Sequence, residues 1–154
     1  MSVNVTPSGT RGQRRPPGPI MRILGWFMRA SHRVGSKRMD GMPVILLTTR
    51  GARSGQLRTT PVMSFPEGDS ARLVVASFGG SMVHPAWFTN MARHPDDTWV
   101  EVDGRRVKVT PTSLTGEERE RAWQQITASS HRFVEYQLKT DREIPVVRLT
   151  AAPE

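Results

Sequence analysis

The sequence has no cysteine among its 154 residues, which excludes a disulfide framework, a thiolate metal site and a cysteine nucleophile together. Redox chemistry would have to come from a bound cofactor. Acidic residues are missing from the first 39 positions, where eight of the 22 lysines and arginines lie: Arg11, Arg14, Arg15, Arg22, Arg29, Arg33, Lys37 and Arg38. Residues 40–154 therefore hold 14 basic and 14 acidic side chains and are formally neutral. A charge of +8 concentrated in an extension argues against a fold that tracks a phosphate backbone, so no nucleic-acid partner is expected. No apolar run is long enough to span a bilayer, and no small-residue cleavage pattern follows the first apolar segment, so neither a transmembrane helix nor a signal peptide is expected. The chain also lacks G-x-G-x-x-G after a strand, G-x-x-x-x-G-K-[ST], G-x-S-x-G and H-E-x-x-H. The common nucleotide, hydrolase and zinc readings lose their main support with those motifs. His32, His84, His94 and His131 share no ligand spacing, and no metal is expected.

What is present suits one ordinary domain with an N-terminal extension. Residues 1–19, with Pro7, Pro16, Pro17 and Pro19 among glycine, serine and threonine, carry too little apolar surface to order themselves and read as a disordered basic tail. From Ile20 the pattern changes. Ile20, Ile23, Leu24, Phe27 and Met28 recur at helical spacing, with Arg22, Arg29 and Arg33 on another face. Residues 20–38 thus read as a basic amphipathic helix, which either packs on the domain or lies on an anionic membrane surface. The expected location is the cytoplasm, with peripheral attachment to the inner face of the cell membrane if the second option holds.

Residues 39–154 form the main domain. Val44 to Leu47 and Arg58 to Phe65 read as two strands of a hairpin, with Gly51 and Gly55 bracketing the connection. Arg50, Arg53 and Arg58 supply planar, permanently charged donors around that turn, and Ser54 with the turn's free N–H groups adds neutral ones. The choice is between an anion site and a solvated basic turn. Beyond it, Glu67-Gly68-Asp69 reads as a turn, Arg72 to Ser77 as a strand, and Phe78 to Ser81 as a loop permitting close backbone approach. Pro85 is expected to begin a helix ended by His94-Pro95, Asp103-Gly104 marks a second hairpin, and Thr115 with Glu118 forms a capping box opening another helix. A further helix over 130–139 precedes a final strand over 144–149. Hairpins joined in series with helices inserted late indicate an α+β fold with a mostly antiparallel sheet or small barrel.

Four segments, VILLTTRGARSGQLRTTPV, VVASFGG, HPAWFTNMARHP with its P-x-W-x-x-N core, and YQLKTDREIPVV, together resemble, in order and spacing, the deazaflavin-dependent nitroreductase and F420H2-dependent quinone reductase family of actinobacteria. The resemblance implies a split β-barrel of the FMN-binding type, coenzyme F420 as cofactor, and hydride transfer from its reduced form to a small-molecule acceptor of quinone or nitro type. Two alternatives stay open: a non-catalytic F420 carrier, and an FMN-binding split-barrel protein. It further implies that Arg53 and Arg58 grip the anionic coenzyme tail, with Ser54, Gly55 and Gln56 as nearby donors. Pro61, Val62 and Met63 would run beside the ring, and Ser77, Phe78, Gly79 and Gly80 would line the phosphate side. Ala86 and Trp87 would close over the ring, with a core aromatic as the lesser alternative for Trp87; Asn90 would bond the cofactor or tie down its own helix. Family members cluster several tyrosines on the helix corresponding to Ser130 through Tyr136. Here Ser130 and Phe133 stand in two of those places and Tyr136 is the one tyrosine of the chain. Phe133 can wall a pocket without donating a hydrogen bond, so quinone reduction, with a proton from Tyr136, solvent or His131, is the broader expectation and nitro reduction the narrower.

Overall fold

Alternation along two short strands organises this molecule, whose computed structural model describes residues 2–14 and 38–152. In β4 (Ala71–Val75), Val74 belongs to one buried cluster while Leu73 and Val75 belong to another. In β7 (Val146–Ala151), Val147 and Leu149 face the first cluster and Val146 the second. Because successive side chains of a strand point to opposite faces, a run such as Leu-Val-Val is satisfied only where both faces of the sheet are covered. The first cluster is completed by Trp87, Phe88 and Met91 of helix α1 (Ala86–Arg93), the second by Ala122 and Ile126 of α2 (Gly116–Ser129) and Phe133 of α3 (Arg132–Leu138). Phe88 is wholly buried, and burial of one such ring contributes roughly 1.5–3 kcal/mol.

The remaining strands are β1 (Arg38–Met39), β2 (Met42–Arg50), β3 (Leu57–Glu67), β5 (Thr98–Val102) and β6 (Arg105–Ser113). Their order is β1-β2-β3-β4-β7-β6-β5, every pairing is antiparallel, and β5 returns to pair with β2. Six strands thereby close into a barrel without free edges, the small antiparallel barrel indicated by serial hairpins and the split barrel implied by the family resemblance. The register of the first hairpin sets Thr49 opposite Arg58 and Val44 opposite Met63. Asp103 and Gly104 both have positive φ, 51° and 78°, as a two-residue hairpin turn of the mirror-image type requires.

Three local expectations shift. Pro85 is the residue before α1, with extended ψ, and not its first residue. Thr115 precedes α2, but its hydroxyl makes no capping hydrogen bond; Glu118 instead accepts from Arg148 Nη1 at 3.1 Å, so the capping box yields to an ion pair on the sheet. Residues 2–14, read as part of a flexible tail, lie against the barrel: Val3 is 6% exposed within the first cluster, Gly9 N donates to Met82 O at 2.7 Å and Met82 N to Gln13 O at 2.7 Å. Close packing there depends on two glycines. A Cβ on Gly9 would come 2.6 Å from Asp141 Oδ1, and one on Gly12, at φ +120°, 3.1 Å from two carbonyl oxygens. The amphipathic helix expected over 20–38 lies, apart from Arg38, outside the described residues.

Candidate functional site

The tip joining β2 to β3 is held before any ligand is considered. Gly51 N donates to Gln56 O at 2.7 Å and Gly55 N to Gly51 O at 2.9 Å. Arg50, one of the three arginines read as anion ligands, is committed elsewhere: Nε donates to Asp97 Oδ2 and Nη1 to Gly55 O, both at 2.7 Å. Its guanidinium, through that hydrogen bond, holds the Asp97 carboxyl below the usual carboxylate range. Asn90 does the same work from α1. Its Oδ1 accepts from Ala52 N at 2.9 Å and its Nδ2 donates to Thr49 Oγ1 at 3.3 Å, so the buried amide ties the hairpin tip to the helix and not the helix to itself. Arg53 and Arg58 are both exposed and, among the described residues, neither pairs with a carboxylate.

A cavity of about 830 Å³ runs from this tip along β3 to helix α3, within the usual size range of small-molecule sites. Arg53, Ser54 and Arg58 line one end; Pro61, Val62 and Met63 form the strand wall; Ser77, Phe78 and Gly79 face them across the space; Ala86, Trp87 and Asn90 contribute from α1. Trp87 lines the cavity while only 9% exposed within the first buried cluster, so it is at least the core aromatic it was read as. Phe133 and Tyr136 lie at the far end. Phe133 packs edge-on against Phe65 (5.8 Å) and Tyr136 (5.7 Å), an arrangement that aromatic quadrupoles favour.

Phe78, Gly79 and Gly80 are three consecutive left-handed residues, φ 46°, 65° and 82°. For a non-glycine residue such as Phe78 this conformation costs on the order of 1–3 kcal/mol and persists only where surrounding contacts impose it. Here it wraps the backbone around the cavity.

Four expected site residues do not line the cavity. Gly80 is turned toward α3, where an added Cβ would come 2.7 Å from Tyr136 O; its glycine serves helix packing. Gly55, at φ 71° with open space around its Cα, serves the turn. Gln56 closes the same turn through its backbone, N to Ser54 Oγ at 3.2 Å and O to Gly51 N. Ser130 is 2% exposed and donates to Asp40 Oδ2 at 2.5 Å. Its hydroxyl fastens the β1–β2 turn to the start of α3. Arg132 joins it with Nε to Asp40 Oδ2 at 2.6 Å and Nη2 to Oδ1 at 3.0 Å, and these two donors hold the Asp40 carboxyl below its ordinary range. His131 is exposed and lies off the cavity.

Several lining residues escaped the sequence reading: Met39, Thr49, Thr60, Val75, Pro85 and Arg132 among them. Val75 carried a signal, because a strand apolar on both faces must have one face toward something other than the barrel core. Met39 carried none, since its two-residue strand has no periodicity.

The comparisons with known proteins converge on one description. The family model described as F420H(2)-dependent quinone reductase matches residues 20–151. An F420H(2)-dependent quinone reductase of Mycobacterium tuberculosis is 37% identical over 135 residues, covering 85% of this chain and 89% of that protein. Among solved structures, an F420-H2 dependent reductase (FDR-A) aligns with TM-score 0.61 and 37% identity over 69% of this chain and 92% of its own. A chain described as a domain-swapped dimer aligns with TM-score 0.63 and 33% identity over 86% and 99%.

Proposed function

The chain belongs to the F420H(2)-dependent quinone reductase family, and from that premise we propose that it is an oxidoreductase that binds coenzyme F420 and reduces a quinone-type acceptor. The observation that carries this reading is the polarity of the cavity. Two arginines that pair with no carboxylate among the described residues stand at one end, and at the other stand apolar side chains, the chain's one phenol and Arg132, whose charge Asp40 already holds.

The residues suit an elongated anionic ligand with a flat ring. Arg53 and Arg58 bind its anionic tail, with the tip held open for them by Arg50 and Asn90. Pro61, Val62 and Met63 on one side, and Ala86 and Trp87 on another, flank the ring and exclude water around it. When bound in reduced form, the coenzyme supplies a hydride from its deazaflavin ring. The protein's part is to hold the acceptor against that ring and to stabilise negative charge as it appears on the acceptor oxygen. Tyr136 is the donor for that oxygen, and Phe133 is a wall. Quinones are favoured over nitro compounds because only one phenol serves the chamber. Ser130 is withdrawn from this chemistry by its bond to Asp40.

Titration of the pure protein with F420 and FMN side by side tests the reading, followed by oxidation of bound reduced F420 with a quinone. Tight F420 binding, weak FMN binding and turnover are expected. Binding without turnover would make the protein a carrier, and preference for FMN would overturn the assignment. For the basic segment over 20–38 we propose contact with an anionic membrane surface, each basic residue adding about 1 kcal/mol. Among the described residues no helix is long and apolar enough to cross a membrane. Sedimentation with anionic vesicles that is absent, or insensitive to salt, would return the segment to packing on the barrel.

A further inference from the structure

Arg142 is 3% exposed and, among the described residues, pairs with no carboxylate. A buried cation normally requires a partner; this one has backbone carbonyls. Nη1 donates to Ala76 O at 3.1 Å, Nη2 to Ser77 O at 2.8 Å and Nε to Ser81 O at 2.8 Å. Those three carbonyls bracket the left-handed turn Phe78–Gly80, of which Phe78 and Gly79, with the preceding Ser77, line the cavity. Burial pulls the Arg142 pKa down to about 10, which leaves it charged at neutral pH.

The other side of the clamp is the N-terminal segment. Nη1 also lies 3.2 Å from His84 Nδ1. A guanidinium only donates, so Nδ1 is the acceptor, the ring is neutral, and Nε2–H donates to Thr6 O at 2.6 Å. Ser81 Oγ donates to Gln13 O (2.5 Å) and lies 2.9 Å from Arg14 O, while Asp141 accepts from Thr10 and Arg11. Backbone from three distant parts of the sequence thus converges behind one wall of the cavity.

We propose that Arg142 is a positioning residue for the anionic coenzyme: from behind the Ser77–Ser81 turn it fixes the carbonyls that hold this wall in its strained shape, and it places behind that wall a positive charge that no carboxylate among the described residues neutralises. The inference rests on the reading that the cavity takes F420. It accounts for a buried guanidinium without an acid, because a carboxylate beside it would cancel the field an anionic ligand meets. It also accounts for the strain at Phe78, since three charge-assisted bonds at the ends of the turn over-determine the backbone between them.

The test is F420 titration by fluorescence with full-length wild type, Arg142→Lys and Arg142→Gln, with amide hydrogen exchange on the same samples. Arg142→Gln is expected to raise the Kd at least tenfold, Arg142→Lys to fall between it and wild type, and exchange to rise at the Gly80 and Ser81 amides while the β4 and β7 amides stay protected. A folded Arg142→Gln variant that binds F420 within threefold of wild type overturns the proposal. So does weakened binding accompanied by exchange rising evenly across the barrel, which would be general loosening. If neither variant folds, the Arg142 Nε–H resonance of the wild type decides: a shift on adding F420 supports the proposal and an unchanged resonance overturns it. Failure of the wild type to bind F420 would instead overturn the cofactor reading itself.

Discussion

The two ends of the cavity use arginine in opposite ways. At the hairpin tip Arg53 and Arg58 are exposed and, among the described residues, pair with no carboxylate, while at the α3 end Arg132 is held by both oxygens of Asp40. Arg50 and Arg148 follow the second pattern, the latter on Glu67 and Glu118. A guanidinium already paired in a fixed fork geometry stabilises the fold and has little left for a ligand. In the proposed function ligand chemistry is thereby polarised, with anion recognition assigned to one end and enclosure of the reacting groups to the other. An arginine-rich motif by itself does not reveal which of its members are committed, and Arg50 is the instructive case.

The largest expected effect comes from removing the unpaired charges. Each charge-assisted contact contributes roughly 1.5–3 kcal/mol, so Arg53→Ala or Arg58→Ala should weaken F420 binding about 10- to 100-fold and the double variant more, with the melting temperature unchanged. Equal affinity of double variant and wild type in a fluorescence titration would break the comparison. At the opposite end, Tyr136→Phe should slow single-turnover oxidation of the bound reduced coenzyme by a quinone up to about 100-fold while leaving F420 affinity unaltered. Phe133→Tyr should raise reduction of a nitro acceptor, by less than a fully supported donor would, because its neighbours Phe65 and Tyr136 pack against a ring without a hydroxyl.

A committed arginine should behave differently from either. Arg50→Ala removes a part-exposed ion pair with Asp97 and a bond to Gly55 O, and should cost about 1 kcal/mol, roughly 3 °C in melting temperature. Its effect on F420 affinity should stay below that of Arg53→Ala; a larger loss would place Arg50 among the ligand contacts. The smallest effect concerns pH. His84 faces the Arg142 guanidinium, the Thr6 carbonyl and the Phe88 ring; burial first, and then the Arg142 charge, depress its pKa below 6.5. The folded state therefore binds fewer protons than the unfolded state just below pH 6.5, so this contribution is complete above 6.5 and is lost as pH falls toward the depressed value. Thermal melts between pH 7.5 and 5 should show the decline, and His84→Asn should flatten it. An unchanged slope in the variant would assign the decline to other groups.

Local chemistry alone reached the hairpin with its basic tip, the Asp103-Gly104 turn, the helix closed by His94 and the serial hairpins of a mostly antiparallel sheet or small barrel, while the strand wall Pro61–Met63 came from the family resemblance. Each of the former depends on neighbours in sequence: turn glycines, alternation, proline before a helix. Tertiary structure decided which polar groups were left over. Asn90, which lines the cavity, also became a brace for the hairpin because the barrel brings Ala52 and Thr49 within its reach. Ser130 was removed from the site by Asp40, ninety positions away, and Gly80 by the backbone of α3. Residues 2–14, too poor in apolar surface to order themselves, lie in place because the barrel offers them carbonyls and amides to pair with. A hydrogen-bond donor carries the same chemistry in any sequence context, but whether it faces a ligand or its own fold depends on partners that only chain closure brings near.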